Sequence, residues 1–512
     1  MERKQIGRIT GIITGIWLVL LLGGVPLITD GTYMEIATVK WNFYRAITLG
    51  FRAGRVVIPG LLFVLFLLFV WTNENKAKLL KVCGWWGILY ALDVCISVLF
   101  ASDKTTALSG FPGWYMGLYA QISFVMIYYL ISSVRIPLKP VIVFMGVTSS
   151  FIYILEVLNR FGIYPPGMLG GLEEGQIKLM VSTIGNINWF AGYMACVLPL
   201  CLMAYVRTSG RNHIFAGVWV LLSALTMATL NSESIAASFF VLILILLVMY
   251  RNRYAELRRV LEIILITASA WLLFGMLYRS FPDRTVPMDK ICNLMMHPLI
   301  DLALIGGSLV LYLVSGELIR RNIQWDIKLW VCIAAMLGVS VIAAVILYYD
   351  DHSYLHFDDF WGNHRGLIWR ITRESWARIW REAPLKALFG CGPDQYYLEV
   401  TGHYTDLLET IYHGQLLTNA HNEFLTSLIH FGLAGTVCYC GMLVHCIRSF
   451  AVRHRTQPEL TAGALLVISY IANNFFSFQQ IVSTPILFGL AGVFLSNIAD
   501  VSSATDSDTR KG

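Results

Sequence analysis

Long apolar runs separated by short polar breaks repeat along most of the chain. They fall at roughly residues 10–28, 56–71, 82–100, 114–134, 141–158, 187–205, 214–230, 235–250, 260–278, 299–316, 329–347, 421–447, 460–476 and 485–499. A bilayer-spanning helix needs about 20 mostly apolar residues, and lipid offers no partner to backbone polar groups, so uninterrupted runs of this kind predict helices rather than the alternating strands of a barrel. The expected fold is all-α, a polytopic transmembrane helix bundle of about 12–14 spans. The pair at 214–250 is divided only by Asn231 to Ser234 (NSES).

Composition agrees. Of 512 residues, 57% are hydrophobic and 14% charged, and the mean hydropathy is +0.64, far from an ordinary soluble domain. The first run follows Arg3, Lys4 and Arg8 and has no small-residue cleavage site before Thr32, so it reads as a retained helix. Most of the ten cysteines lie within apolar runs, where cysteine is a small buried hydrophobe. Cys292 and Cys391 fall in connections on one side and are the candidates for a disulfide.

Charge sets the expected topology. Alternate connections, counted with both termini, hold 22 of the 38 Lys and Arg residues, which by the positive-inside rule marks that set, and both termini, as cytoplasmic. The connection at about 348–420 is then extracytoplasmic, and its length is more than a turn between spans requires. The chain divides into N-terminal transmembrane helices (1–184), a transmembrane core including that loop (185–499) and a polar cytoplasmic tail (500–512). No P-loop, no GxGxxG opening a helix and no HExxH occurs, which leaves ATP-driven, dinucleotide and zincin chemistry without support. No cofactor, metal or nucleic acid is expected.

Within the loop, Asn363 to Glu382 reads NHRGLIWRITRESWARIWRE. At helical spacing Trp369, Trp376 and Trp380 share a narrow arc flanked by Ile368 and Ile379. Arg370, Arg378 and Arg381 lie on the other side, and Arg373 borders the stripe. Asn363 is the expected N-cap. Such a helix is suited to the headgroup layer, rings at the interface and guanidiniums toward phosphates. Arg365 falls with the tryptophans, points inward and therefore needs an anionic partner: a diphosphate, or one of Asp350, Asp351, Asp358 and Asp359. Gly390, Gly392 and Pro393 fit a tight bend after the helix.

The loop returns to the membrane at TNAHNEFLTSLIHFGLAG (418–435). With Asn419 as N-cap, His421, Leu425, Leu428 and Gly432 share one helix face, and the glycine permits close approach of another helix. Glu423 suits the positive end of the dipole. A helix N-terminus disfavours imidazolium, so His421 is expected to be neutral and able to accept a proton. His430, on the opposite face, reads as a packed histidine.

These stretches resemble the O-antigen ligase and polymerase superfamily, integral-membrane glycosyltransferases. AHNEFLTSLIHFGLAG, with Asn422 inside it, fits the family's His-x10-Gly pattern through His421 and Gly432. RGLIW is similar to its Arg-x3-Leu pattern with Trp369 in place of Leu, and REAPLKALFGCGPDQYY and GNINWFAGYMACVLPL add to the likeness over roughly residues 185–440. In two respects the chain departs from the pattern: Ser232 is followed by Glu233 where the family commonly has Ser-Arg, and the spans exceed the usual number. The resemblance implies transfer of a glycan from a polyprenyl-diphosphate donor to a glycan, lipid or protein acceptor at the outer face of the cytoplasmic membrane, with membrane lipids as the other partner. Arg365, helped by Arg370, Arg373, Arg378 and Arg381, would bind the diphosphate. His421 would act as general base, with inversion and without a metal. The alternatives are a lipid-linked oligosaccharide flippase or other transporter, and a non-catalytic assembly scaffold.

Overall fold

A computed structural model describes residues 3–72, 76–282, 286–323, 357–412 and 416–498. The expected span at 329–347, Cys332, Asp350 and Asp351 and the 500–512 tail lie outside them. The described chain is mostly helical, as the apolar runs predict. Eight helices are long and apolar enough to cross a membrane: Gln5–Leu27, Leu138–Arg160, Ile187–Arg207, Gly210–Leu230, Glu233–Tyr250, Tyr254–Ser280, Pro298–Arg320 and Glu423–Ala451. Five shorter apolar helices accompany them: Leu61–Trp71, Trp86–Phe100, Leu118–Ser132, Leu460–Asn474 and Thr484–Ile498. The protein is a helical, multi-pass membrane protein.

Burial orders the bundle. Ile187–Arg207 is apolar all round and 94% of its hydrophobic window is inside the protein, whereas Pro298–Arg320 is only 17% buried. A helix without a polar face belongs in the middle of a bundle. The turn after Leu230 is made by Asn231, left-handed at φ 57°, and its carboxamide oxygen accepts from Asp289 N at 2.8 Å. The span expected at 56–71 is shorter than the apolar run: Val56–Pro59 pairs antiparallel with Gly50–Ala53 in a hairpin, and the helix begins at Leu61. Val56, Val57 and Ile58 are β-branched and exposed, Val57 at 72%, and suit a strand better than a helix.

The described residues between 357 and 420 pack on one end of the bundle and carry their own small core. Leu367, Ile368, Ile371 and Ile379 from the arginine helix (Trp361–Glu382) meet Ala387, Cys391, Tyr396, Val400, Ala420 and Ile429. The apolar face of the arginine helix is thus taken up by protein and not by headgroups. Trp369 and Trp376 pack against this core, and only Trp380, 45% exposed, remains outward. Asn363 does not cap: Gly362, Asn363 and His364 are all left-handed (φ 59°, 58° and 65°), and the right-handed helix starts at Arg365.

The segment after this helix enters a break in the histidine helix (Glu423–Ala451). Gly432 there has φ 61° and ψ −168°, a conformation open only to glycine, and interrupts the helical hydrogen bonding. The carbonyls freed just before it are recovered by the loop: Cys391 N donates to Ile429 O and Gly392 N to His430 O, both at 3.0 Å. A Cβ on Gly390 would overlap the His430 carbonyl, and one on Gly432 would overlap Leu388 O and Gly390 N. The close approach read from Gly432 is real, and the visitor is the end of the short helix Pro384–Phe389 with the turn that follows it. Cys292 and Cys391 are both buried free thiols and form no disulfide.

Because the clash is with backbone at both glycines and the φ values are positive, Gly390→Ala and Gly432→Ala are each expected to cost roughly 3 kcal/mol. Gly306→Ala is the control. It meets nothing within 4 Å in a regular helix and should be neutral or stabilising by up to about 1 kcal/mol. Thermal unfolding of the purified detergent-solubilised variants separates the two cases.

Candidate functional site

His421 precedes the helix it was assigned to. Asn422, not Asn419, is the N-cap: its side chain accepts from Phe424 N and Leu425 N, both at 3.0 Å. Asn419 instead turns the chain, accepting from His421 N at 2.9 Å, and His421 itself is left-handed at φ 46°. The shared helical face of His421 and Gly432 is therefore lost, since one residue lies before the cap and the other breaks the helix. Ala420 is held from two sides: its N–H donates to Thr426 Oγ1 at 2.9 Å and its carbonyl accepts from Trp369 Nε1 at 3.1 Å. The imidazole stands edge-on to Phe478, with ring centroids 5.4 Å apart.

The tie from Trp369 brings Arg365 to His421. Arg365 and Trp369 are four apart, so both project from one face of the arginine helix. Trp369 is fixed in an aromatic cluster with Trp361, Phe357, Phe475 and Phe476, at centroid distances of 5.4 to 6.3 Å. Gly366 lets the start of the helix lie against the Asp358 carbonyl, where any Cβ would overlap. Among the described residues the partner of Arg365 is neither Asp358 nor Asp359. Its Nη1 contacts Glu233 Oε2 at 3.5 Å, and the two side chains are 17% and 22% exposed. This is a single, long contact.

The other four arginines are placed elsewhere. Arg370 is engaged by Asp359 through both Nε (2.8 Å) and Nη2 (2.6 Å) and touches Glu374 at 3.3 Å, and this pairing holds the Asp359 carboxyl below its usual range. Arg378 donates to Glu399 O at 2.8 Å, tying two parts of the loop together. Arg373 and Arg381 are exposed, the latter bonded to Ala377 O of its own helix. The structure sets Arg365 near His421, while Arg370 and Arg378 are half-buried and bonded within the loop and Arg373 and Arg381 are exposed. Among the described residues no group of three or more His, Cys, Asp or Glu is arranged to hold a metal ion.

Two carboxylates that sequence reasoning had not placed in the site lie next to it. Glu423, 1% exposed, accepts from Tyr439 Oη, Asn474 Nδ2 and, at 3.3 Å, Gln479 Nε2. Gln479 in turn accepts from Gln121 at 2.7 Å, and Gln121 accepts from Tyr90 at 2.8 Å. Asp394 accepts from Phe111 N at 2.8 Å and Met116 N at 2.9 Å; burial pushes its carboxyl up to about 6 against the pull of those two amides. Glu423, Asp394 and His430 line a cavity of about 30 Å³, with His430 packed as expected. A buried carboxylate needs such donors. The sequence signal was faint: a Glu directly after a capping Asn.

Compared with known proteins, the chain matches no family profile and no curated sequence. The residues themselves therefore carry the functional argument. Burial, and then the Arg365 guanidinium, hold the His421 ring down at about 4, so that it is neutral at pH 7 and has a free lone pair. An unfolded histidine titrates near 6.5. The unfolded chain therefore binds a proton first as pH falls, and this residue's share of stability, complete above about 6.5, is lost between there and about 4. Replacing Arg365 by Gln removes the smaller of the two causes, and the ring pKa is expected to rise. Titration of ¹³C-histidine-labelled protein, with His421→Gln assigning the signal, measures both.

Proposed function

We propose that the protein is a membrane glycosyltransferase that transfers or polymerises a glycan from undecaprenyl diphosphate onto an acceptor hydroxyl at the outer face of the cytoplasmic membrane. One observation carries the reading: a loosely paired guanidinium, Arg365, is held beside a neutral imidazole, His421, in a polar end of an otherwise apolar bundle. A leaving diphosphate gathers negative charge on its oxygens, and a guanidinium offers it paired, charge-assisted hydrogen bonds. A neutral imidazole can take the proton from an attacking hydroxyl.

In the reaction, the acceptor oxygen forms the new bond to the anomeric carbon of the donor as the bond from that carbon to the diphosphate oxygen breaks. The acceptor proton passes to His421, the electron pair leaves with the diphosphate, and Arg365 stabilises it there. Attack opposite the leaving group inverts the anomeric centre. Of the five arginines in the loop, Arg365 is the one this scheme uses; the pairing of Arg370 with Asp359 and the bond from Arg378 to Glu399 O hold the loop together. The distribution of Lys and Arg supports the orientation, with Arg207, Arg251, Arg253 and Arg455 at the far end of the bundle from His421.

With purified lipid-linked donor and an acceptor in proteoliposomes, Arg365→Ala is expected to lower the transfer rate about 100- to 1,000-fold, the usual loss for one electrostatic donor. His421→Ala should lower it about 100-fold or more. Arg373→Ala should stay within about twofold, as an exposed surface side chain. Full transfer by both of the first two variants overturns the assignment. Donor crossing the bilayer in the absence of acceptor would instead identify a flippase.

A further inference from the structure

A concave feature at the other end of the bundle is basic. A cavity of about 330 Å³ opens there where the ends of three long helices meet: Arg207 ends Ile187–Arg207, Arg251 and Arg253 follow Glu233–Tyr250, and His454 and Arg455 follow Glu423–Ala451. Glu233–Tyr250 runs directly from the Arg365 contact to this cavity, and at 1.5 Å per residue its 18 residues separate the two by about 27 Å. The site is therefore distinct from the one proposed for glycan transfer.

Four guanidiniums around one cavity repel one another unless something anionic lies between them. Among the described residues that line it, none bears a carboxylate. Glu256 and Glu459 occupy neighbouring helix starts; Glu256 is near enough to act on Tyr250, but neither glutamate is among the lining residues. Arg207 is engaged by the Tyr250 hydroxyl at 3.3 Å and its ring at 5.9 Å, and Arg251 by the Val248 carbonyl at 2.9 Å. Arg253 and Arg455 make no side-chain hydrogen bond or ion pair among the described residues. Thr461, 4% exposed, also faces the cavity, and its hydroxyl has no hydrogen-bond partner. Guanidinium forks and a buried hydroxyl donor together match the oxygens of a phosphate group.

We propose that this cavity binds the phosphate of an anionic ligand, with a phospholipid headgroup as its source. The location favours the lipid. The cavity lies at the ends of apolar helices, and Val444 (59% exposed) and Val452 (71%) leave an apolar surface just before His454 along which acyl chains can run. Basic pockets between spans on the cytoplasmic side are where headgroups of this sign are concentrated.

The test uses the full chain, delipidated in neutral detergent, with thermal unfolding as the readout. Phosphatidylglycerol is expected to raise the melting temperature in a concentration-dependent manner, and phosphatidylcholine to leave it unchanged. In Arg253→Gln/Arg455→Gln the apparent lipid affinity should fall about tenfold for each guanidinium removed. Arg373→Gln should bind as the parent does. Because the double variant is itself at risk of misfolding, the parent protein is also titrated in high salt, which should weaken the effect if guanidiniums carry it. Inorganic phosphate tested alone distinguishes the sources: stabilisation by phosphate that the lipid fails to match overturns the lipid as ligand. No stabilisation by either, or stabilisation indifferent to the double substitution and to salt, overturns the site.

Discussion

The break in the histidine helix at Gly432 is the contact on which the rest of the functional end depends. A membrane helix cannot leave carbonyls unpaired in a low-dielectric interior, because each costs several kcal/mol there. Here Ile429 O and His430 O are given up by their own helix and satisfied by Cys391 N and Gly392 N. The loop turn is thereby fixed by backbone bonds in the position where the bundle would otherwise be under-satisfied. Gly390 and Gly432 face each other across that junction, and neither tolerates a Cβ.

From this junction the loop is carried outward by successive polar anchors. Asp394 holds the backbone of Phe111 and Met116, and Gln395 exchanges two bonds with Asp103, its Oε1 accepting from Asp103 N at 2.8 Å and its Nε2 donating to Asp103 O at 3.1 Å. Tyr396 meets Thr372 of the arginine helix at 2.6 Å. That helix then presents Trp369 to Ala420 O and Arg365 to Glu233. The placement of one guanidinium beside one imidazole thus rests on a chain of contacts between segments hundreds of residues apart in sequence.

Such contacts explain what was legible and what was not. The spans could be read because lipid imposes a composition on every helix that crosses it, whatever its neighbours. Strand Val56–Pro59 was absorbed into a span because its residues are as apolar as a helix start, and only its pairing with Gly50–Ala53 distinguishes it. The cap of the histidine helix was misplaced by three residues because Asn419 and Asn422 are chemically identical; the choice is made by Thr426 and Trp369, which hold Ala420 outside the helix. His421 and Arg365 were found as residue types, but Glu233, 132 positions from Arg365, entered the sequence reading only as a departure from a pattern. The wheel sets Arg365 apart from the other arginines, yet the buried face centres on Leu367, Ile368 and Ile371 rather than on the tryptophans.

Glu233 gives the electrostatics of the site a direction. Glu233 holds the guanidinium by one contact, and the half-buried His421 ring beside the cation is held at about 4. A base that weak captures a proton poorly at neutral pH. In the proposed reaction a diphosphate competes with Glu233 for Arg365, with more oxygens and more charge. The excess negative charge then faces the imidazole and favours imidazolium, raising its pKa toward the working range. The contact of 3.5 Å is loose enough to be exchanged, unlike the two-pronged hold of Asp359 on Arg370. Arrival of the donor would then strengthen the base at the moment the acceptor must lose its proton, and in the empty site the same ring would remain a poor base toward water.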